Sequence, residues 1–315
     1  MKNMEYDDDT MTEDIREYIL DEIKSSKDTK DNLLNVSNLQ TYDIESEKNN
    51  INNYYYGIAI TQGARRNMED KYIIDIFLDN PIFIILDGHR GSYVSDYCKK
   101  NLMRILKNLN ENMEHHSDII KNFKILFSNL IKELDKELSK YSMEHNSGTT
   151  ITIIYILHNY IFSINLGDSK AILIHKNFEH EQLTVEHKPY APIEKKRIVK
   201  AHGTVINNRI NNDIAISRAL GDFRYKNQDS LKPHEQLISN IPHISVYARN
   251  NTEKYIVLSS DGTWDIFTNQ KLVDYINKLH KDNIYDIKDI ANTIVKKSIK
   301  EGNSDNTTLC LIKFN

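Results

Sequence analysis

Two apolar runs in the chain each end in an Asp-Gly pair. Ile82-Phe83-Ile84-Ile85-Leu86 leads into Asp87-Gly88-His89, and Tyr255-Ile256-Val257-Leu258 leads into Ser259-Ser260-Asp261-Gly262. Upstream stands Arg65-Arg66-Asn67-Met68-Glu69-Asp70, and near the C-terminus Ser304-Asp305-Asn306. Four separate segments thus offer carboxylates at the ends of expected strands. Hard divalent cations such as Mg²⁺ and Mn²⁺ take oxygen ligands of this kind and keep positions for water or phosphate. Together the four segments predict metal-dependent chemistry on phosphate. Singly, each has a plainer reading: Asp-Gly is a favoured hairpin turn, Glu69-Asp70 suits a solvated face, and Ser304-Asp305-Asn306 suits a turn or cap.

The elements that must position these residues are legible from periodicity. Residues 54–61, 71–77, 82–86, 149–157, 160–166, 170–175, 255–259 and 307–313 are β-branched or aromatic runs between turn-prone residues and read as strands. Apolar stripes at helical spacing mark helices over 93–109, 119–138, 271–279 and 287–300. The stripes face a core and carry no chemistry. Strands outnumber helices, and the tight turns favour antiparallel neighbours, so residues 53–315 read as one α+β domain. Residues 1–52 differ, being polar, acidic at Asp7-Asp8-Asp9 and poor in aromatics. Ile15, Ile19 and Ile23 recur there every four residues behind Thr12 as N-cap, which fits a short amphipathic helix or a transient one in a solvated tail.

Composition removes several classes of function. The 315 residues carry 41 Lys and Arg against 45 Asp and Glu, a net charge of -4, which offers no basic footprint for nucleic acid and no polybasic arm for a membrane. Hydrophobic residues make up 39%, enough for a sizeable core, while a mean hydropathy of -0.57 marks a polar surface. Cys98 and Cys310 form no CxxC pair, so two free thiols in a reducing compartment are expected, not a zinc site. The first residues lack the plan of a signal peptide, and no apolar run approaches the roughly 20 residues needed to span a bilayer. The expected setting is cytoplasmic, with the nucleus also open. The expected state is a monomer.

The flanks of the four acidic segments, with others between them, resemble the metal-dependent protein serine/threonine phosphatases of the PP2C (PPM) family. Arg65 to Asp70 matches that family's RxxMED segment, and Asp87-Gly88-His89-Arg90-Gly91 its DGHGG with one change. Ser147-Gly148-Thr149-Thr150 resembles SGST, and Gly167-Asp168-Ser169-Lys170-Ala171 resembles GDSRA. Glu186-His187-Lys188-Pro189 through Ala201-His202-Gly203 is similar to DHKP…ERI…AGG, and Ile214 to Asp222 to LAVSRALGD. Ser260 to Asp265 resembles SDGLWD, and Ser304 to Thr307 SxDNxT. The match is collinear from about Tyr54 onward.

The resemblance implies a four-layer α-β-β-α sandwich, two antiparallel sheets packed face to face between helices, with a cleft at one end. It implies Asp87 bridging two Mg²⁺ or Mn²⁺ ions, the Gly88 carbonyl completing one, and Asp261 with Asp305 holding the other. Glu69 and Asp70 would orient the shell, and Asp168 and Asp265 would serve a weaker third ion, although Asp168 also suits a capping role. The implied reaction is direct attack on phosphoserine or phosphothreonine by a water held between the ions, with no phosphoenzyme. Arg65 would clamp phosphate oxygens, and His89 would protonate the leaving oxygen. Residues 189–208 correspond to the flap beside the cleft, and the implied partners are phosphoproteins.

Arg90 and His202 stand where the family has Gly. If the backbone at 90 needs positive φ, Arg costs roughly 1 kcal/mol or more; if it does not, Arg90 adds a cation close to the site, where it weakens metal binding or assists phosphate, and the plainer reading is a side chain turned to solvent. Two further functions compete: a catalytically inactive scaffold on the same fold, which typically loses metal carboxylates that are retained here, and a metal-dependent nuclease, for which a basic surface is missing.

Overall fold

The computed structural model describes residues 43–113, 117–140 and 146–315; the expected Ile15-Ile19-Ile23 helix lies outside them. The main strands in chain order are β1 (Glu45–Ile51), β2 (Tyr54–Thr61), β3 (Lys71–Phe77), β4 (Asn80–Leu86), β5 (Ile151–Leu157), β6 (Tyr160–Leu166), β7 (Lys170–His175), β8 (His180–Gln182), β9 (His243–Ala248), β10 (Glu253–Ser259) and β11 (Thr307–Lys313). The helices are α1 (Tyr93–Glu111), α2 (Ile119–Ser139), α3 (Pro192–Lys200), α4 (Asp261–Trp264), α5 (Asn269–Lys281) and α6 (Ile287–Lys300).

The strands form a six-stranded sheet in the order β1-β2-β11-β10-β7-β8 and a five-stranded sheet in the order β9-β6-β5-β4-β3. Every pairing is antiparallel. Period-two alternation explains how each sheet serves two cores. From β4, Phe83 and Ile85 enter the layer between the sheets with Ile154, Ile256, Leu258 and Cys310, while Ile82, Ile84 and Leu86 face α1 and α2. Val257, Leu309 and Leu311 pack on the outer face of the other sheet, against α5 and α6. The four layers are thus helices, sheet, sheet, helices, as the resemblance implied. Side-chain caps start three of the outer helices: Asp118 accepts from Lys121 N–H, Thr268 from Lys271 N–H, and Asp286 from Lys288 and Asp289 N–H. Both cysteines are free and buried, and among the described residues no helix is long and apolar enough to cross a membrane.

The first hairpin begins before residue 53. β1 pairs with β2 from Glu45 opposite Ile60 to Ile51 opposite Tyr54, and Lys48 forms an ion pair with Asp286. This strand, Glu-Ser-Glu-Lys-Asn-Asn-Ile, lies at a sheet edge with most of its residues exposed, so it carries no apolar alternation to betray it.

Residues 189–208 hold α3, pinned by one buried carboxylate. Glu194, 3% exposed, accepts from Arg197 at 2.6 Å, from Arg218 at 2.5 Å and from Ser217 Oγ at 2.7 Å. Burial raises its pKa, but the two guanidiniums and the hydroxyl outweigh that and lower it from 4.5 to about 2. A depressed acid stabilises the fold above its unfolded pKa and loses that contribution as the pH falls toward the folded value. Glu194→Gln should therefore lower unfolding stability by about 3 kcal/mol at pH 7. In urea titrations the deficit should narrow as the pH drops below 4.5. A deficit independent of pH would show that packing, not charge, is what the substitution removes.

Candidate metal centre and active-site cleft

The acidic segments meet at one end of the sandwich. Asp87 leaves β4, Asp261 follows β10 as the first residue of α4, and Asp168 sits in the Gly167-Asp168-Ser169 turn between β6 and β7. One carboxylate oxygen from each of Asp87, Asp168 and Asp261 lies within 4.8 Å of the others. The Asp87 N–H points to Thr150 Oγ1 at 3.2 Å, and the Asp261 N–H reaches Asp87 Oδ2 at 3.5 Å. A cleft of about 780 Å³ opens over this trio. Arg65, Glu69, Gly88, His89, Asp265 and Asp305 line it as well.

Asp70 does not reach the cleft. It is 3% exposed and accepts from Ser260 Oγ at 2.8 Å through Oδ2, with Oδ1 lacking a hydrogen-bond partner. Glu69 points its Oε2 at the Gly91 N–H, 3.0 Å away. Asn306 secures this segment: its Oδ1 accepts from the Glu69 N–H at 2.7 Å, and its amide donates to the carbonyls of Gln62 and Asn67. Arg65 forms an ion pair with Asp305, so the expected phosphate clamp and an expected metal ligand hold each other.

Electrostatics shows how strongly these carboxylates repel one another. The Asp87 carboxyl is pushed well above the usual range by burial and then by the charges of Asp261, Asp70, Asp168 and Asp305. Asp261 is raised likewise, by burial and then by Asp168, Asp265 and Asp305. Burial is also the main cause that lifts Asp70 to about 6. Like charges crowded in a desolvated site resist ionisation, and a divalent cation among them removes that penalty. The donors of the trio are all carboxylate oxygens, and Asp70, buried behind the cleft but close enough for its charge to act on Asp87, keeps Oδ1 as an orphaned acceptor. This set fits Mg²⁺ or Mn²⁺ and not a soft metal.

Three contributors escaped the sequence reading. Asp222, fully buried, holds His89 Nε2 at 2.6 Å. Burial depresses the imidazole pKa, yet the Asp222 charge and hydrogen bond outweigh it and raise it. Gly148 permits this contact. A small three-stranded sheet places Gly148 opposite both His89 and Gly221, and a Cβ on Gly148 would lie 2.2 Å from Asp222 Oδ2 and 2.5 Å from His89 Nε2. Lys188 is the third, with Nζ 2.5 Å from Asp168 Oδ2. The signal for Asp222 was present, since it closes the run Ile214 to Asp222, but nothing in sequence spacing tied it to His89.

Arg90 takes the left-handed backbone, φ 61°, so the strain foreseen for a residue with a Cβ is present. Its side chain does not swing free into solvent: it is 27% exposed and pairs with Asp213 at 2.5 Å. His202 is left-handed as well, φ 60°. Trp264 is a packing residue, 8% exposed, with Nε1 donating to the Lys170 and Ser259 carbonyls.

A two-sheet sandwich flanked by helices, ending in an acidic cleft suited to hard cations, defines the structural class. Comparison with known proteins narrows it. The family model for protein phosphatase 2C matches residues 55–307. Protein phosphatase 1B of Rattus norvegicus is 32% identical over 290 residues, 86% of this chain and 74% of that protein. Protein phosphatase 1A of Homo sapiens is 32% identical over 274 residues, 84% of this chain and 71% of that protein. The chain spans 60% of the human protein phosphatase 1B. Among solved structures, a phosphatase from a pathogenic strain of Toxoplasma gondii superposes with a TM-score of 0.75 at 21% identity, over 87% of this chain and 96% of that one. A sex-determining protein of C. elegans superposes with a TM-score of 0.70 at 20% identity, over 95% and 71%. The chain belongs to the protein phosphatase 2C family.

Proposed function

We propose that the chain is an active metal-dependent protein serine/threonine phosphatase that hydrolyses phosphoserine and phosphothreonine without a covalent phosphoenzyme. The observation that carries this reading is the meeting of Asp87, Asp168 and Asp261 in one cleft with Arg65 and a carboxylate-held His89. Asp87, the Gly88 carbonyl, Asp261 and Asp305 would hold two Mg²⁺ or Mn²⁺ ions. Glu69 and Asp70 would orient that shell, and Asp168 and Asp265 would hold a weaker third ion. Bound there, the ions supply an acidified water and neutralise phosphate charge.

The chain's own groups do the rest. Arg65, on the cleft wall, exchanges its Asp305 partner for phosphate oxygens, for which its planar fork is suited. Asp222 orients the His89 ring through Nε2 and favours its charged form, leaving Nδ1 to deliver a proton to the departing seryl or threonyl oxygen. Retention of all these carboxylates favours an enzyme over an inert scaffold on the same fold.

Phosphate release from a phosphothreonine peptide tests the proposal. Stripping the protein with a chelator should abolish release, and adding Mn²⁺ or Mg²⁺ should restore it. Full turnover in metal-stripped protein would contradict the mechanism, and no turnover with either ion would contradict the function.

A further inference from the structure

A second charged cluster lies on the cleft wall, opposite in sign to the first. Asp213 is its only carboxylate among the interacting side chains described. Arg90 donates to Asp213 Oδ1 at 2.5 Å, and Arg224 donates to Oδ2 at 2.8 Å. Arg209 donates to the Asp213 backbone carbonyl at 2.9 Å. Three guanidiniums therefore surround one acid, an excess of two positive charges. Tyr225 fixes the arrangement: its hydroxyl donates to Asp213, and its ring lies under Arg224 at 4.8 Å and Arg90 at 5.8 Å. The guanidiniums are reachable from outside, with Arg90 27% and Arg224 38% exposed.

Position links this cluster to the acidic centre. Arg90 comes three positions after Asp87 and next to His89, and Arg90, Arg209 and Asp213 line the same cleft as the carboxylate trio. The trio accounts for one phosphate, drawn in through cations and Arg65. It leaves no role for a second set of arginines, of which Arg90 stands two residues beyond Gly88. Each guanidinium carries five N–H donors in a rigid fork, so one bond to Asp213 leaves donors available for another anion. The stacking on Tyr225 prepays part of the ordering that such binding requires.

We infer that Arg90, Arg209 and Arg224 form an anion subsite that binds a second acidic group on the phosphoprotein, flanking the phosphoserine or phosphothreonine to be cleaved. The inference rests on the phosphatase reading and adds a substrate class to it: sites in acidic sequence, or sites with a further phosphate nearby. Carboxylate and phosphate share the chemistry that the arginine forks recognise.

Three phosphothreonine peptides test it: one with neutral flanks, one with flanking Asp and Glu, and one with a flanking non-hydrolysable phosphonate. Each is measured with Mn²⁺ for kcat/KM and, separately, by fluorescence anisotropy for binding. Wild-type protein should favour at least one acidic peptide over the neutral one by about tenfold, the scale of a charge-assisted contact. Arg90→Gly and Arg224→Gln should each bring that ratio down to about twofold or less. Arg90→Gly also relieves the left-handed backbone, so a collapsed ratio there does not come from misfolding. Which of the two acidic peptides gains more identifies carboxylate or phosphate as the natural group. An equal ratio in wild type and variants, or no acidic preference in wild type, overturns the subsite. Absence of turnover on every peptide would count against the phosphatase reading alone, because anisotropy still reports whether acidic peptides bind tighter and whether that depends on Arg90.

Discussion

Asp87→Asn and Asp261→Asn should each lower phosphate release by about 10³-fold or more, while the domain stays folded. Cation stabilisation of a phosphoryl transition state is worth several kcal/mol, and each 1.36 kcal/mol is tenfold in rate. An amide keeps the shape of the carboxylate but loses the charge and half the ligand oxygen. Folding should not suffer, because these carboxylates repel one another: both carboxyls stand well above the usual range through burial and neighbouring acids. Neutralising one of them removes repulsion, so metal-free variants should melt at or above the wild-type temperature. Thermal scans run beside the assay decide the matter. A melting temperature that falls in step with activity would assign these residues to the scaffold instead of the chemistry.

His89→Ala should produce the second-largest effect, and one that depends on the leaving group. General-acid catalysis contributes about 10²–10⁴-fold when the departing oxygen needs a proton. A seryl or threonyl alkoxide needs it badly, whereas nitrophenolate leaves unaided. The variant should therefore lose far more activity on a phosphothreonine peptide than on p-nitrophenyl phosphate. Asp222→Asn should follow the same pattern more weakly, since it leaves the ring in place and removes the charge that favours the imidazolium. Equal losses on both substrates would make His89 an organiser of the metal shell, with the proton coming from another group.

Much of this fold is legible in the sequence alone. The strands over 54–61, 71–77, 160–166, 170–175 and 307–313 and the helix over 287–300 stand at the expected limits. Most of these elements bury one continuous face or both, and burial is what imposes periodicity on sequence; the edge strand over 71–77, only partly buried, is legible instead through its run of β-branched and aromatic residues. What escaped notice was what burial does not pattern. β1 and β9 are sheet edges, half or fully exposed, so few of their positions must be apolar. α3, Pro192–Lys200, is held by the Glu194 ion network instead of a long apolar stripe.

The site divides along the same line. Asp87, Asp261, Asp305 and Glu69 announced themselves because each ends or precedes a strand in a recognisable segment. The His89–Asp222 contact spans 133 positions, and it depends on Gly148 having no side chain, a fact of packing that neither segment displays alone. Arg90 was visible as a departure from family pattern, but its partner Asp213 was not. That pairing depends on how residues 209–225 fold back over the cleft, which a single sequence leaves open.

The central claim is that the buried carboxylates exist to hold divalent cations, and Mn²⁺ binding followed by electron paramagnetic resonance tests it most directly. Titrating the full chain with Mn²⁺ and reading the free-ion signal should show about two ions bound per chain, the count of a two-metal site. Asp87→Asn and Asp261→Asn should each release at least one of them, and Mg²⁺ in excess should displace both. A wild-type protein that leaves the Mn²⁺ signal unchanged, or variants that bind as many ions as wild type, would contradict the account.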